Sequence, residues 1–272
     1  MRQLIVNKNP DKKGLVLIEG KDFRYLRQVL RVKAGDMVNL RLPDGSLQNS
    51  TVCKIDDSSK KITLQICALR EPQGPQDVIA SEARQSTNEI LFSLFQFIPK
   101  PQKLELIVRQ ATECGVKNII PVISEYTQKG NIEALKGSKL ERLQKIVREA
   151  RQQSGSPTDT RVFEPVTVEQ AVELWNKMKE EAGGPEKAAG FVLSERSTSG
   201  ERPFDRLRDH SNPAFNSVCI FCGNEGGISP DELELLIKKA LLCPIHFSVN
   251  ILRCETAALY GIAAIQTAIS GI

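Results

Sequence analysis

Two short segments in the last quarter of the chain combine residue types that serve chemistry. The first is the glycine-rich turn Gly223-Asn224-Glu225-Gly226-Gly227, which follows an apolar run of strand length. The second carries Arg253, Glu255 and Thr256 just after another apolar run, at residues 244–249. Glycines permit positive φ and let a ligand approach the main chain without meeting a Cβ. Two such turns side by side predict a pocket for a nucleotide-like cofactor.

The glycine turn by itself is equally compatible with a purely structural role. Its spacing, Gly-x-x-Gly-Gly, differs from the Gly-x-Gly-x-x-Gly of a Rossmann dinucleotide site, and no acidic residue follows a second strand at the required place. The pairing with the second segment is what favours a ligand site.

Charged residues in these segments have two interpretations. Arg253 and Glu255 lie at a predicted strand-to-helix junction, where the structural interpretation is a helix-start ion pair with Glu255 favoured by the helix dipole. In the functional interpretation, the Arg253 guanidinium stabilises negative charge that develops on a carbonyl oxygen. Glu225 and Glu255 are then the acidic candidates for easing proton loss from a substrate. Arg253, Glu255 and Glu225 are therefore the candidate catalytic residues.

The elements that must position these residues alternate between strand and helix from residue 89 onward. Strands are predicted at 90–98, 118–123, 161–163, 189–193, 218–222 and 244–249, and helices at 101–114, 138–153 and 168–181. Such alternation predicts a parallel sheet covered on both faces. Residues 183–187 and 194–215 are expected to be loops, and the length of the second suggests a functional role.

The N-terminal part has a different pattern of predicted secondary structure. Short strands with turn signals surround one helical piece at 22–30, which predicts a small β-barrel. A polar stretch broken by Pro72, Gly74 and Pro75 then interrupts the pattern. We therefore expect a small β-barrel domain at residues 1–72, a linker at 73–88 and a second domain at 89–272.

Charge distribution says more than net charge, which is only +4 over 272 residues. Basic residues crowd the first segment, with few acids among them: Arg24, Arg27, Arg31 and Lys33, with Lys21 and Arg41 close by. This face would attract phosphates, although a merely solvated basic surface is an equally simple explanation.

The seven cysteines do not form a disulfide framework, because their number is odd and they are scattered. Cys219 and Cys222 form a C-x-x-C inside an apolar strand, where residues three apart point to opposite faces. They are expected to be buried structural residues, and no metal site is expected. The scattered thiols predict a reducing, cytoplasmic location, and the absence of an apolar leader and of a membrane-length apolar run predicts a soluble protein.

The two C-terminal segments resemble the SPOUT methyltransferases, and within them the RsmE family. The family pattern is an apolar strand, Gly-Pro-Glu-Gly-Gly, a helix, and then Leu-Gly-x-Arg-Ile-Leu-Arg-x-Glu-Thr-Ala. The matching residues are Gly223, Glu225, Gly226, Gly227, Glu232, Ile251, Leu252, Arg253, Glu255, Thr256 and Ala257. Asn224 replaces the proline, and the second motif departs at Phe247, Ser248 and Asn250. Similarity also covers residues 25–31, 100–116 and 148–154, and therefore most of the chain.

This resemblance implies a trefoil-knotted α/β fold with a parallel sheet and an N-terminal PUA-like β-barrel. It implies S-adenosylmethionine as cofactor and N3 of a uridine in small-subunit (16S) ribosomal RNA as target, with a homodimer as the assembly. The residues implied to hold the cofactor are Leu193, Ser194, Gly223, Asn224, Glu225, Gly226, Phe247, Val249, Ile251, Leu252, Thr256 and Ala257. Those expected to contact RNA are Arg24, Arg27, Arg31, Lys33, Lys100 and Arg148.

Two alternatives remain open on the sequence. One is a related knotted methyltransferase with another target nucleotide. The other is a non-catalytic RNA-binding protein that retains the fold, because a fold does not fix a function. Binding of S-adenosylmethionine distinguishes an enzyme of this class from the non-catalytic alternative.

Overall fold

The computed structural model describes residues 3–67, 90–133, 135, 137–194 and 215–270. Contacts within the chain group it into two compact units: Met1–Thr87 with Arg151–Pro157, and Asn88–Ala150 with Thr158–Ile272. The predicted linker at 73–88 lies outside the described residues, as do residues 195–214 of the predicted long loop. The domain bounds 1–72 and 89–272 stay predictions.

The first unit contains a curled five-stranded sheet that forms a half-barrel. Its strands are β1 (Gln3–Ile5), β2 (Leu15–Ile18), β3 (Met37–Arg41), β4 (Leu47–Asp56) and β5 (Lys61–Ile66). They lie in the order β1-β3-β4-β5-β2, and neighbours are antiparallel except for the parallel pair β1 and β3. A bulge in β4 between Val52 and Lys54 shifts the register, and bulges bend a strand. Alternating apolar residues such as Leu40, Ile62 and Leu64 bury a core of their own.

The helical piece predicted at 22–30 is only partly α-helical. It consists of α1 (Gly20–Arg24) followed directly by a π-helical turn (Tyr25–Val29), which Leu30 N closes by donating to Tyr25 O at 3.0 Å. The wider turn buries Leu26, and the chain leaves it with Arg31 in the left-handed region at φ 54°. Side chains after residue 25 therefore do not follow α-helical spacing, so the spacing of the arginines does not by itself give them one face.

The second unit is a seven-stranded sheet in which every pair of neighbours is parallel. Its strands are β6 (Leu91–Phe97), β7 (Asn118–Ile123), β8 (Arg161–Val162), β9 (Val166–Thr167), β10 (Ala188–Leu193), β11 (Ser217–Cys222) and β12 (Cys243–Ile245). The order is β12-β10-β11-β6-β7-β8, and β9 also pairs with β7. The predicted parallel sheet is confirmed, while the knot remains what the resemblance implies.

Helices cover this sheet on both faces, as the alternating pattern predicted. They are α2 (Pro101–Glu113), α3 (Lys129–Glu133), α4 (Ser138–Ser154), α5 (Val168–Glu181), α6 (Pro230–Lys239) and α7 (Cys254–Ser270). One core contains Leu104 of α2, Val147 of α4 and Ile262 of α7, whereas Trp175 of α5 and Leu236 of α6 belong to the other. Burial of apolar side chains on each face is what holds the layers together.

Strand β11 lies in the middle of the sheet, and its side chains alternate between the two cores. Cys222 packs in one core and Cys219 in the other, and both are fully buried free thiols. The prediction of buried structural cysteines is therefore confirmed. On the Cys219 side, the rings of Phe95 and Phe221 stack at a centroid distance of 4.2 Å.

The strand predicted at 244–249 is wrong in its extent, because β12 ends at Ile245. Strand β12 pairs with β10, and β10 ends at Leu193, directly opposite Ile245. Beyond these residues no strand is in register to continue the ladder within the described part of the chain. Residues 246–253 consequently run without regular secondary structure to the start of α7.

Candidate functional site

A cavity of about 340 Å³ lies at the carboxyl ends of β10, β11 and β12. Ligands of parallel α/β sheets bind at this edge of the sheet. Apart from Glu225 and Thr256, the residues expected to hold a cofactor line the cavity: Leu193, Ser194, Gly223, Asn224, Gly226, Phe247, Val249, Ile251, Leu252 and Ala257. The two C-terminal segments are therefore walls of one cavity, as their pairing in the sequence suggested.

Gly227 and Asn250 also line the cavity, and both belong to the stretches 223–227 and 247–252 that the resemblance implied to enclose the cofactor. Several other lining residues were missed by the sequence reasoning: Tyr126, Ile228, Pro230, Leu233, Ile245, His246 and Cys254. Most of them flank predicted residues, so a wider window around each motif would have included them. Tyr126 is different, because it comes from the loop after β7, far from both motifs in sequence. No local pattern marks it.

The glycine turn is shaped by close approach of its own backbone. A Cβ on Gly223 would lie 2.8 Å from the carbonyl carbon of Gly227. Of the three glycines in this turn, Gly227 alone has a positive φ, 78°, so the freedom to adopt positive φ is used there and not at Gly223 or Gly226. At Gly226 the obstacle to a Cβ is the side chain of Tyr126, with Cβ at 2.9 Å. The glycines are thus required by contacts inside the protein.

Asn224 is the hydrogen-bonding centre of this turn. Its side chain is buried, with 7% of the residue exposed, and its Oδ1 accepts a hydrogen bond from Gly226 N at 2.9 Å. Its Nδ2 donates to Ser124 Oγ at 3.2 Å and to Ile98 O at 3.5 Å. A proline has no side-chain amide and could form none of these bonds. The departure from the family pattern at this position therefore ties the turn to the carboxyl ends of β6 and β7.

A second buried amide fixes the entry to the turn. Gln96 Nε2 donates to the carbonyl oxygens of Phe97, Gly223 and Cys222 at 2.9, 3.0 and 3.2 Å. These bonds cross from β6 to the end of β11. The position of Gly223 relative to the sheet is therefore set by Gln96 as well as by the strand ladder.

Helix α6 begins directly after the turn with a capping box. Ser229 Oγ accepts from Glu232 N at 3.3 Å, and Glu232 Oε2 accepts from Ser229 N at 3.1 Å. Pro230 occupies the first turn, where a missing N–H costs nothing. The other carboxylate oxygen of Glu232 accepts from Glu125 N at 2.8 Å. The helix start is thereby bonded to the loop after β7.

The opposite wall is the irregular segment 246–253. His246 Nδ1 lies 3.3 Å from Ser194 O, and the Phe247 ring packs edge-on against Tyr260 at a centroid distance of 4.7 Å. Val249 and Ile251 are largely exposed, Ile251 at 84%. Apolar side chains that line a cavity and still face water are suited to contact a ligand.

An ion-pair cluster lies behind this wall, at the start of α7. Lys103 Nζ is 3.2 Å from Glu255 Oε2 and 3.6 Å from Glu225 Oε1. Glu225 Oε1 also accepts a hydrogen bond from Lys100 N at 3.2 Å. Cys254, which lines the cavity, donates from Sγ to Glu255 Oε2 at 3.3 Å. One ammonium group therefore joins the carboxylates of the two C-terminal segments.

The cluster shifts the acid–base properties of its members. Partial burial alone would lower the pKa of Lys103, but its hydrogen bond to Glu255 and the surrounding negative charges raise that pKa above the ordinary value. Partial burial would raise the pKa of Glu255, but hydrogen bonds from the backbone, Cys254 and Lys103 lower it. Burial, the bond to Glu255 and the charge of Glu225 raise the pKa of the Cys254 thiol to about 12. The lysine and Glu255 are therefore charged at neutral pH, and the thiol is protonated.

Arg253 and Thr256 are exposed at the start of α7, and neither lines the cavity. The suggested helix-start pair between Arg253 and Glu255 is wrong, because Glu255 pairs with Lys103 instead. Among the described residues the Arg253 guanidinium forms no ion pair. Arg253 is therefore available to a ligand that approaches from solvent.

The residues expected to contact RNA differ in their environments. Arg24, Arg31, Lys33 and Lys100 are exposed, and Arg148 is partly buried. Arg27 is already engaged, because its Nε and Nη2 donate to the two carboxylate oxygens of Asp57 at 2.9 and 2.8 Å. Its Nη1 donates to Val32 O at 3.0 Å. Arg27 consequently holds the chain around the π-helical turn, a role that the sequence did not reveal.

Two further observations bear on the class of protein. Within the described ranges, no group of three or more His, Cys, Asp or Glu side chains is arranged to hold a metal ion. No helix in the same ranges is long and apolar enough to cross a lipid bilayer.

A parallel sheet with a mixed apolar and polar cavity at its carboxyl edge defines an α/β domain built to bind a small molecule. Residues 86–266 match the family model described as an RNA methyltransferase domain, and the chain belongs to this family. Two proteins called "Ribosomal RNA small subunit methyltransferase E" are similar over nearly the whole chain. The one from Rickettsia conorii is 29% identical over 242 residues, which is 89% of this chain and 85% of that protein. The one from Bacillus subtilis is 26% identical over 255 residues, covering 92% and 88%.

Solved structures share the fold. The ribosomal RNA small subunit methyltransferase E from Neisseria gonorrhoeae, bound to S-adenosyl methionine, superimposes with a TM-score of 0.71 at 22% identity and covers 98% of this chain and 97% of its own. A putative methyltransferase from Legionella pneumophila, in complex with the same cofactor, gives a TM-score of 0.69 at 20% identity and 98% coverage of both chains. The expected α/β fold, with a parallel sheet and an N-terminal half-barrel, and the resemblance to the RsmE family are confirmed.

Proposed function

We propose that the protein transfers the methyl group of S-adenosylmethionine to N3 of a uridine in small-subunit (16S) ribosomal RNA. The observation that carries this proposal is the cavity at the carboxyl ends of β10, β11 and β12 in a chain of the RNA methyltransferase family. Relatives similar over nearly their whole length are named as small-subunit ribosomal RNA methyltransferases. That naming supports RNA of the small subunit as the substrate.

The cavity suits the cofactor in size and lining. Its volume of about 340 Å³ falls within the roughly 300–1,000 Å³ of small-molecule sites. Leu193, Ile245 and Leu252 offer apolar surface for an adenine ring, and the close-packed glycine turn exposes backbone that can bond polar groups of the ligand. When bound, the cofactor supplies an electrophilic sulfonium methyl group.

The protein then has to align a base with that group and ease the loss of the N3 proton. Arg253, exposed beside the cavity, is proposed to contact the uracil carbonyl or an adjacent phosphate, since a guanidinium stabilises negative charge there. Glu225 and Glu255 are held by Lys103, so we assign them an electrostatic and positioning role first. An ionised carboxylate that already binds an ammonium group is a weak proton acceptor.

Binding of the RNA is assigned to the exposed basic residues Arg24, Arg31, Lys33 and Lys100, with Arg148 as a further candidate. Such contacts to phosphates position a nucleic acid without reading its sequence. The protein is proposed to act in the cytoplasm as a homodimer, because the family resemblance implies a partner subunit that completes the active site. Sedimentation of the purified protein tests that assembly.

The deciding experiment combines binding and transfer. Calorimetric titration with S-adenosylmethionine should show one site per chain, and Gly226→Val should weaken that binding. Methyl-labelled cofactor is then incubated with small ribosomal subunits from cells that lack the modification, and the RNA is digested to nucleosides. The expected product is labelled 3-methyluridine. A label in another nucleoside would point to a related methyltransferase, and cofactor-free RNA binding would point to a non-catalytic protein.

A further inference from the structure

Tyr126 is a cavity residue with an exposed aromatic ring. It lies on the loop after β7, lines the cavity, and keeps 44% of its surface accessible. Other lining residues, such as Ile245 and Asn224, are buried. Tyr126 therefore stands at the rim, where a molecule that enters from solvent meets it before reaching the interior.

The loop that carries Tyr126 is fixed on both sides of the ring. Glu125 N donates to Glu232 at 2.8 Å, and Ser124 N donates to Thr127 Oγ1 at 3.0 Å. Thr127 N in turn donates to Ser124 O at 3.0 Å. The backbone immediately before and after Tyr126 is thus bonded to α6 or within its own turn. A ring on such a loop is pre-organised.

The glycine turn supports the same loop from below. Asn224 Nδ2 donates to Ser124 Oγ at 3.2 Å, and Gly226 lies so close that a Cβ there would be 2.9 Å from Tyr126 Cβ. The same Cβ would lie 3.1 Å from Tyr126 Cγ and Cδ2, so the base of the ring already packs on this glycine. These contacts join Asn224 to Tyr126 through Ser124.

We propose that Tyr126 is the stacking platform for the target nucleobase, and that Asn224 is a positioning residue that acts through Tyr126. This inference rests on the proposed function. Methyl transfer to a base of a folded RNA requires that base to be turned out of its stack, and proteins receive such bases on aromatic side chains. The rim position favours the incoming base over the adenine ring, for which the half-buried Leu193 and Leu252 and the buried Ile245 offer apolar surface.

Three variants of Tyr126 separate the effect of the aromatic ring from the effect of side-chain size. Tyr126→Phe keeps the ring, Tyr126→Leu keeps an apolar contact with Gly226 without a ring, and Tyr126→Ala removes both. Because base–aromatic stacking is strong, Leu and Ala should lower kcat/KM for small ribosomal subunits by about 5- to 150-fold. Phe should stay within about threefold of the parent, and the Kd for S-adenosylmethionine should stay within about threefold in all three.

The results discriminate between the possible roles. Parental kcat/KM in Tyr126→Leu would overturn the stacking proposal. So would a rise in the Kd for S-adenosylmethionine large enough to explain the whole fall in kcat/KM. If the parent itself transfers no methyl group, the proposed function fails. The stacking proposal is then tested separately by the affinity for small ribosomal subunits. Equal Kd values for the parent and Tyr126→Leu would overturn the stacking proposal.

A double-mutant cycle tests the role of Asn224. Asn224→Ala should lower kcat/KM in the parent by less than Tyr126→Ala does, and should have little further effect when Tyr126 is already alanine. Effects that multiply independently would show that Asn224 does not act through Tyr126. The thermal unfolding midpoint of each variant is measured alongside, so that activity is compared only between folded proteins.

Discussion

The ammonium group of Lys103 forms an ion pair with Glu255 at 3.2 Å and so joins the start of α2 to the start of α7. The same group reaches Glu225 of the glycine turn at 3.6 Å. Two carboxylates around one ammonium leave a net charge of −1 just outside the cavity. Lys103 thus controls both the placement and the charge of the two acidic candidates.

Replacing Lys103 by methionine should destabilise the protein by about 1–2 kcal/mol, because it leaves two partly buried carboxylates close together without a cation. Urea unfolding of the parent and the variant measures this difference. In a Glu255→Gln background the cost of Lys103→Met should be smaller. Equal costs in both backgrounds would show that Lys103 acts independently of Glu255.

Gly226→Val should lower the affinity for S-adenosylmethionine while the protein stays folded. The new Cβ would lie 2.9 Å from Tyr126 Cβ, so the loop after β7 has to shift at the cavity rim. Gly130→Ala is the matched control, because a Cβ at Gly130 meets nothing within 4 Å. Calorimetry measures both, and parental affinity in a folded Gly226→Val protein would contradict the assignment of this cavity.

Arg253→Ala should reduce turnover steeply and leave the cofactor Kd within a few-fold of the parent. The reason is that Arg253 is exposed beside the cavity without lining it. Steady-state kinetics with small ribosomal subunits measures kcat, and Arg253→Lys shows how much a positive charge alone restores. A parallel fall of cofactor affinity and turnover would instead assign Arg253 to the structure of the cavity.

Cys254 should react slowly with iodoacetamide at neutral pH although it lines the cavity. Its pKa is raised to about 12, so the reactive thiolate is scarce at pH 7 and its labelling rate should still be rising at pH 10. Peptide mass spectrometry compares it with the exposed Cys53. Glu255→Gln removes an acceptor and a negative charge and should speed the labelling of Cys254; an unchanged rate would mean that access, and not charge, protects the thiol.

Among the basic residues of the first unit, the exposed arginines should bind RNA, whereas Arg27 should stabilise the fold. Arg24→Ala combined with Arg31→Ala should weaken RNA binding and lower its salt dependence by roughly one unit of slope per lost phosphate contact. Arg27→Ala should chiefly lower the thermal unfolding midpoint, because Arg27 is paired with Asp57 and Val32. Filter binding over a salt series measures the slopes. A double variant with the parental slope would identify the exposed arginines as a solvated surface.

Much of the fold follows from local pattern, because the apolar periods of strands and helices are properties of short segments. Helix α5 and strand β7 begin and end where the sequence predicted. The end of β12 was not predictable in this way, since it depends on where its neighbour β10 stops. The same holds for the three-residue strand β1, whose parallel partner β3 follows much later in the chain.

The candidate site likewise contains parts that could be predicted from the sequence and parts that could not. Each of its two motifs is a continuous segment, so the walls that they form could be expected from residue types alone. Tyr126 and Lys103 reach the site from other strands' ends, and only the folded sheet brings them there. The sequence suggested that Glu225 and Glu255 ease proton loss, because it shows two acids but not the cation between them. The ion pairs with Lys103 favour an electrostatic and positioning role instead.

The carboxylate of Glu232 has one oxygen on the first residue of the α6 cap and the other on the loop that carries Tyr126. Helix start, glycine turn and tyrosine loop are therefore bonded to one another and should move as a single rigid block. The facing segment, residues 246–253, has no strand or helix to stiffen it. The cavity therefore has one rigid wall and one more deformable wall, residues 246–253. Ligands are expected to enter and leave by displacing residues 246–253, while the rigid wall keeps the reacting groups aligned.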